Sequence, residues 1–171
     1  VATRCCQRAK RLDVRIGDRC EIALIDLAVV DDVGVGSRAV WHPTRLTELV
    51  VTIAEPGAIG LSAIAAAVSP CGRGEAAGRH LTIGPTGRSV LVAIAPGLVR
   101  SVGVVAADRL APGEPVTLRS RSGVLAFDGE REVVLDGEPP VVTLSATGPL
   151  VIDVPSVLRL AAEHGWFDSG D

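Results

Sequence analysis

Asp26 stands inside the apolar run Ala23-Leu24-Ile25-Asp26-Leu27-Ala28-Val29-Val30. A carboxylate in such a run is costly unless it is paired, reaches solvent at a strand end, or does chemistry. The second stretch with chemical potential runs from Val50 to Pro70. Val50-Val51-Thr52-Ile53 is strand-like, and Glu55-Pro56-Gly57 signals a turn, because proline fixes φ and glycine accepts angles other residues avoid. An Ala-rich run from Ile59 to Val68 then predicts a small helix, ended by Pro70. The order is strand, glycine loop, helix. At such a junction free amides can hold an anion or lie against a nucleotide. Small residues such as Gly57, Ala58, Gly60 and Ala63 equally let a buried helix pack tightly on a sheet, and both readings stand on the sequence.

Other patterns dissolve on inspection. Asp31 to Ala39 contains Gly34-Val35-Gly36-Ser37-Arg38-Ala39, a GxGxxA match to a dinucleotide fingerprint. Such a fingerprint opens directly into a long helix, whereas here Val40-Trp41-His42-Pro43 intervenes, so the stretch reads as a glycine-rich loop. Gly84-Pro85-Thr86-Gly87 lacks the Lys-Ser/Thr of a phosphate loop and reads as a turn. Cys5, Cys6, Cys20 and Cys71 make no CxxC pair and no metal-ligand spacing, which points to reduced thiols in a cytosolic protein. His42, His80 and His164 are scattered, without an i, i+4 acidic partner, and read as surface residues.

The chain has 171 residues, enough for one domain with a real core, and its 2% aromatic content leaves that core to Val, Leu, Ile and Ala. A net charge of −3 with so few rings for base stacking argues against nucleic-acid binding. No apolar run reaches the length of a membrane span, and no secretory signal is visible. The expected location is therefore cytoplasmic. Val1 runs straight into Arg4, Arg8, Lys10 and Arg11, as in a fragment of a longer protein or a domain separated from an N-terminal partner.

The positioning elements follow from periodicity and turn signals. Residues 1–11 read as a short polar lead or a helix remnant, and Leu12 to Ile16 as a half-buried strand. After the Gly17-Asp18 turn, Arg19 to Val30 reads as one long strand. Pro43 starts a helical turn through Glu48. Leu81–Ile83 and Arg88–Ala95 form a hairpin around Gly84–Gly87, and Leu98 to Ala106 follows Pro96-Gly97. Val116–Ser120, Val124–Phe127, Arg131–Leu135, Val141–Ser145 and Leu150–Ile152 are further strands. The Asp128-Gly129 pair is a strong two-residue turn signal. At the end, Asp153 caps a helix over Pro155 to His164, with Val154, Val157, Leu158, Ala161 and Ala162 on one face, Gly165 as its stop, and Trp166 and Phe167 anchoring the tail. The spacing predicts a mainly β fold, an antiparallel sandwich or meander with a small internal helix and a C-terminal helix over 153–165.

From about Asp13 to Phe167 the chain resembles the C-terminal domain of the NAD kinase family, in the branch of ATP-NAD kinases and acetoin-catabolism protein X. Three segments carry the likeness. Ala23-Leu24-Ile25-Asp26 stands where the family often has Ala-Leu-Asn-Glu, whose Asn and Glu bind the nicotinamide nucleotide. Glu55-Pro56-Gly57-Ala58-Ile59-Gly60-Leu61-Ser62 looks like the family's Thr-Pro-x-Gly-Ser-Thr-Ala-Tyr loop. Phe127-Asp128-Gly129-Glu130 is similar to an Asp-Gly-Gln or Asp-Gly-Glu hairpin. The departures are Ile25 at the Asn position and Ile59, Gly60 and Leu61 in place of the loop's Thr, Ala and Tyr, so that hydroxyl contacts are lost. Glu48 is a loose counterpart of an acidic residue upstream of the loop.

The resemblance implies a single domain over 1–171 of the NAD kinase C-terminal type. It implies NAD and ATP as ligands, and Asp26, Gly57, Ala58, Ile59, Gly60 and Ser62 as their contacts. The family activity it implies is ATP-dependent phosphorylation of NAD to NADP. The family's catalytic Gly-Gly-Asp-Gly-Thr lies in a preceding lobe, and this sequence contains no such stretch. No catalytic residue and no metal site are assigned. The alternative is a non-catalytic β-domain for oligomerisation or partner binding, and either way the apolar face of the last helix needs a partner, a second copy or the missing lobe.

Overall fold

Residues 5–31 and 43–169 are described by a computed structural model. The glycine-rich loop read between Asp31 and Ala39, apart from Asp31 itself, lies outside the described residues, as does His42. The mainly β reading holds. The strands are β1 (Cys6–Arg8), β2 (Arg11–Ile16), β3 (Arg19–Ala23), β4 (Asp26–Val30), β5 (Leu46–Val51), β6 (Gly78–Ala95), β7 (Leu98–Leu110), β8 (Pro115–Thr117), β9 (Ser122–Phe127), β10 (Arg131–Asp136), β11 (Val141–Ser145) and β12 (Leu150–Ile152). Two helices, α1 (Ser62–Val68) and α2 (Val154–Glu163), complete the fold.

Six strands form one antiparallel sheet in the order β10-β9-β4-β5-β6-β7, four form a second in the order β3-β2-β11-β8, and β1 pairs with β12 in a ribbon. The central strands of the large sheet are apolar on both faces, as strands covered on both sides must be. On one face Leu27, Val29, Val50, Leu125 and Phe127 meet Leu12, Val14, Val142 and Leu144 of the small sheet. On the other, Ala28, Leu49, Val51, Leu81 and Ala126 share a core with Ala63, Ile64 and Ala65 of α1. The result is three layers: small sheet, large sheet, helix.

Five local expectations are corrected. Arg19 to Val30 is not one strand. It breaks at Leu24-Ile25, so that β3 joins the small sheet and β4 the large one. The polar lead is structured: β1 pairs with β12, Ala9 N donates to Pro149 O at 2.8 Å, and Lys10 is buried. After a short 3-10 turn at Pro43–Arg45, β5 begins at Leu46, earlier than the strand expected from Val50. Gly84–Gly87 is no hairpin turn. It is a bulge inside β6, since Ile83 and Arg88 both pair with Val104. A Cβ at Gly103 would lie 2.1 Å from Gly84 O, so the bulge presses on backbone where only glycine fits. Finally, Trp166 and Phe167 do not anchor the tail, being 64% and 65% exposed.

The Asp128-Gly129 hairpin forms as expected, with φ of 54° and 69° at its two central residues. Asp153 caps α2 through Ser156 N, and Gly165 stops the chain beyond it at φ 66°. Of the apolar face of α2, Ala161 is buried, whereas Val154 and Leu158 are 58% and 51% exposed.

Candidate functional site

The break between β3 and β4 explains itself chemically. The Asp128 carboxylate accepts from the backbone amides of Leu24 (Oδ2, 2.9 Å), Ile25 (Oδ1, 2.7 Å) and Asp26 (Oδ1, 3.1 Å). Asp128 N donates back to Asp26 O at 3.0 Å. The hydroxyl of Thr52, a fully buried residue, donates to Leu24 O at 2.6 Å, and Thr52 N donates to Ile25 O at 2.9 Å. Three consecutive amides that a straight strand would spend on a neighbour are thus gathered by one anion from a distant hairpin.

With its backbone satisfied, this turn offers only side chains. Asp26 and Ile25 open into a cavity of about 280 Å³, which is also lined by Ile59, Gly60, Leu61 and Ser62 and by Asp128, Gly129 and Glu132. The floor is Ile94 and Ala126. Gly57 and Ala58 line an adjoining depression of about 300 Å³ that shares Ile25 and Ser62 with the first and adds Glu55 and Arg73. The structure therefore brings Asp26, Ile59, Gly60 and Ser62 together and places Gly57 and Ala58 beside them.

The two glycine readings can be tested on geometry. A Cβ at Gly57 or Gly60 would meet nothing within 4 Å, so neither serves close helix-to-sheet packing. Both are glycine because φ is positive there, 87° and 102°. The loop is pinned by Gly60 N donating to Ala93 O at 3.0 Å and Ala58 N to Glu55 O at 3.0 Å. The helix start is less available than its sequence implied. Ala63 N and Ile64 N already donate to Gly60 O and Leu61 O, and α1 spans only seven residues.

The ionisable side chains lining the cavity are all carboxylates, Asp26, Asp128 and Glu132, with Ser62 as the other polar residue. The Asp26 carboxylate makes no hydrogen bond among the described residues, although its backbone N and O both bond to Asp128. Burial, and then the negative charge of Asp128, push its carboxyl up to about 6. Near pH 6 Asp26 can donate or accept a proton, and a hydroxyl-bearing ligand suits it better than an anion. Among the described residues no group of three or more side chains is arranged to hold a metal ion.

One polar constellation escaped the sequence reading. Glu48 is 2% exposed, and its Oε2 lies 2.9 Å from His80 Nε2, while Oε1 accepts from Arg119 N at 2.8 Å and Ser120 N at 3.2 Å. Burial raises the Glu48 carboxyl, but the His80 bond and the two amides outweigh it and hold it below the ordinary value. His80 is thus no free surface residue. The signal was cross-strand: Glu48 faces Thr82 and Val50 faces His80 on neighbouring strands. Glu48 does not line the cavity.

The fold is a β-rich domain with a cavity between a small helix and an antiparallel sheet, lined by Asp26, Asp128 and Glu132. Residues 10–147 match the family model of the Acetoin catabolism protein X C-terminal domain, and the chain belongs to that family. Acetoin catabolism protein X of Cupriavidus necator is 38% identical over 164 residues, covering 91% of this chain and 46% of the relative. The chain thus spans a little under half the length of that relative. Among the described residues no helix is long and apolar enough to cross a membrane.

Proposed function

We propose that this chain is the nucleotide-binding C-terminal domain of an NAD-kinase-like protein, with NAD or ATP as ligand at the Asp26 cavity. The observation that carries the reading is convergence. The three segments with the family likeness are far apart in sequence, yet Ile25 and Asp26, Ile59 to Ser62, and Asp128 and Gly129 line one cavity. In this reading Asp26 receives a ribose hydroxyl, the apolar side chains of Ile25, Ile59 and Leu61 cover a ring, and Asp128 positions the Asp26 turn without touching the ligand. Family activity would be phosphoryl transfer to NAD, with the positioning and charge stabilisation that chemistry needs coming from a Gly-Gly-Asp-Gly-Thr segment outside these 171 residues. The relative's name places that protein in acetoin catabolism, and we extend this context to the present chain. The setting proposed for it is the cytoplasm.

The deciding experiment is calorimetric titration of NAD and ATP into the purified chain and its Asp26→Asn variant. Binding by the parent chain, weakened by Asp26→Asn, is expected. Absence of heat with either nucleotide at millimolar concentration rejects the reading. The chain alone is expected not to convert NAD to NADP, and robust turnover in a coupled assay would show that the base it lacks is not needed.

A second reading, an oligomerisation domain, draws on a different observation. Leu150, Ile152, Val154, Leu158, Trp166 and Phe167 are each more than half exposed along β12, α2 and the tail. A second copy of the chain covering this surface is the proposed partner. Sedimentation should then show self-association that Leu158→Asp abolishes, and a clean monomer at micromolar concentration rejects it.

A further inference from the structure

Lys10 and Cys71 are 61 residues apart in sequence and adjacent in space, with Nζ 3.6 Å from Sγ. Both are buried, at 6% and 1% exposure. Lys10 enters from the start of β2 and fills the centre of the loop after α1, donating to Gly72 O at 3.0 Å, Glu75 O at 3.0 Å and Ala77 O at 2.7 Å. The Cys71 thiol lies 3.1 Å from the same Ala77 O. The nearest charged groups are Glu75 and Arg79, and these pair with each other at 3.0 Å. An amine and a thiol are therefore held side by side in a buried site, with a gap wide enough for one bridging oxygen atom.

We propose that Lys10 and Cys71 form an oxidation-dependent N–O–S cross-link, with a peroxide as oxidant. The first hydrogen peroxide transfers an oxygen to the Cys71 sulfur, giving Cys–S–OH and one water. Lys10 Nζ, having lost the ammonium proton, then bonds to that oxygen. The amine N–H and the sulfenic O–H give up two hydrogens and two electrons to a second peroxide, which leaves as two waters. Burial lowers the Lys10 pKa and so eases the loss of the ammonium proton, against the opposing pull of a Cys71 thiolate. Two equivalents of a dithiol supply the four hydrogens and four electrons that cleave the bridge, restore the amine and the thiol and release the oxygen as water, each dithiol ending as a disulfide.

The bridge reaches the candidate site through one backbone link. Cys71 and Ala54 exchange both amide bonds, with Ala54 N donating to Cys71 O at 2.8 Å and Cys71 N to Ala54 O at 2.9 Å. Ala54 immediately precedes Glu55-Pro56-Gly57, and Glu55 Oε1 accepts from Arg73 N across the same loop. Cross-linking therefore fixes the base of the site loop to β2. Cys20 is exposed and serves as an internal control for ordinary thiol oxidation.

The test is peptide mass spectrometry of the intact chain after hydrogen peroxide, with and without dithiothreitol. The expected result is a peptide pair joining Lys10 to Cys71 and heavier than the sum of its parts by about 14 Da, one oxygen gained and two hydrogens lost. It should vanish on reduction, and the melting temperature of the oxidised chain should be higher by about 5 °C, as for closure of a long covalent loop. Lys10→Arg keeps a cation but removes the amine, and it should convert Cys71 to its simple oxygen acids instead. The proposal is overturned if Cys20 is oxidised while Lys10 and Cys71 remain unlinked, or if the mass change at Cys71 is the same in Lys10→Arg.

Discussion

Replacing Asp26 by Asn separates a structural carboxylate from one retained at a cost. The carboxyl of Asp26 ionises at about 6 in the fold against an ordinary 3.8. A folded value above the unfolded one means that the native state binds more protons between those limits, so stability falls as pH rises from about 4 to about 6 and is flat above. Taken at face value, a gap of about two pH units costs about 3 kcal/mol at pH 7. Asp26 is partly open to the cavity, so solvent screening reduces this to the order of 1–2 kcal/mol. Asn keeps the shape and cannot ionise. Asp26→Asn is therefore expected to be more stable than the parent chain at about pH 7.5 and indistinguishable from it at about pH 3, below both ionisations. Urea unfolding at both pH values measures the difference, with m-values checked for constancy. An equal effect at the two pH values would refute the assigned cause, because only an ionisable group in a desolvated place yields a pH-dependent gap. The same variant that gains stability should lose ligand affinity, the trade expected of a strained functional group.

Three other perturbations follow from the geometry. Asp128→Ala leaves the amides of Leu24, Ile25 and Asp26 without their acceptor and should cost about 1–3 kcal/mol in chemical denaturation, with the Asp26 carboxyl falling toward its ordinary value in an NMR titration. Lys10→Met removes the donor shared by the carbonyls of Gly72, Glu75 and Ala77, of which Ala77 belongs to a buried residue, and should lower stability by about 1–3 kcal/mol; an unchanged melting temperature would show that the loop carbonyls find water instead. Gly60→Ala and Gly60→Val should be destabilising to a similar degree, about 1–2 kcal/mol each, because the strain is in φ and the space beyond is open. A much larger loss for Val would revive the close-packing explanation.

What was legible in the sequence was local. Asp128-Gly129 demanded a tight turn, and Asp153 and Gly165 marked the ends of α2, because each signal is satisfied within a few residues. The misreadings share a long-range cause. Arg19 to Val30 is apolar enough for one strand, and the carboxylate that breaks it comes from Asp128, 104 positions beyond Leu24. Gly84-Pro85-Thr86-Gly87 carries every local mark of a hairpin turn, yet β7 runs past it on the other side and makes it a bulge. Lys10 looked like part of a charged lead because its carbonyl partners lie more than 60 residues away. Asp26 stood out as a carboxylate in an apolar run and Gly60 as part of a glycine loop before a helix, and the family likeness added Ile59 and Ser62. Their meeting in space depends on the β4–β5 and β4–β9 pairings, which no single segment encodes.

The site loop keeps a shape whose usual purpose its own chain has removed. A glycine turn before a helix ordinarily presents free amides to an anion. Here Ala63 N and Ile64 N are already bonded within the turn, Gly60 N is bonded to Ala93 O, and the facing wall is Asp26, Asp128 and Glu132. A phosphate seated in that cavity would meet negative charge on one side and few free donors on the other. A ligand presenting hydroxyls or a cationic ring would meet complementary acceptors in the same space. Arg73 lines the adjoining depression with Gly57 and Ala58. On the proposed nucleotide reading, the polarity of the two hollows would set the sugar toward Asp26 and the phosphates outward toward Arg73. Replacing Arg73 with Gln should accordingly weaken AMP while leaving adenosine unchanged in a titration, and an equal loss for both ligands would refute the orientation.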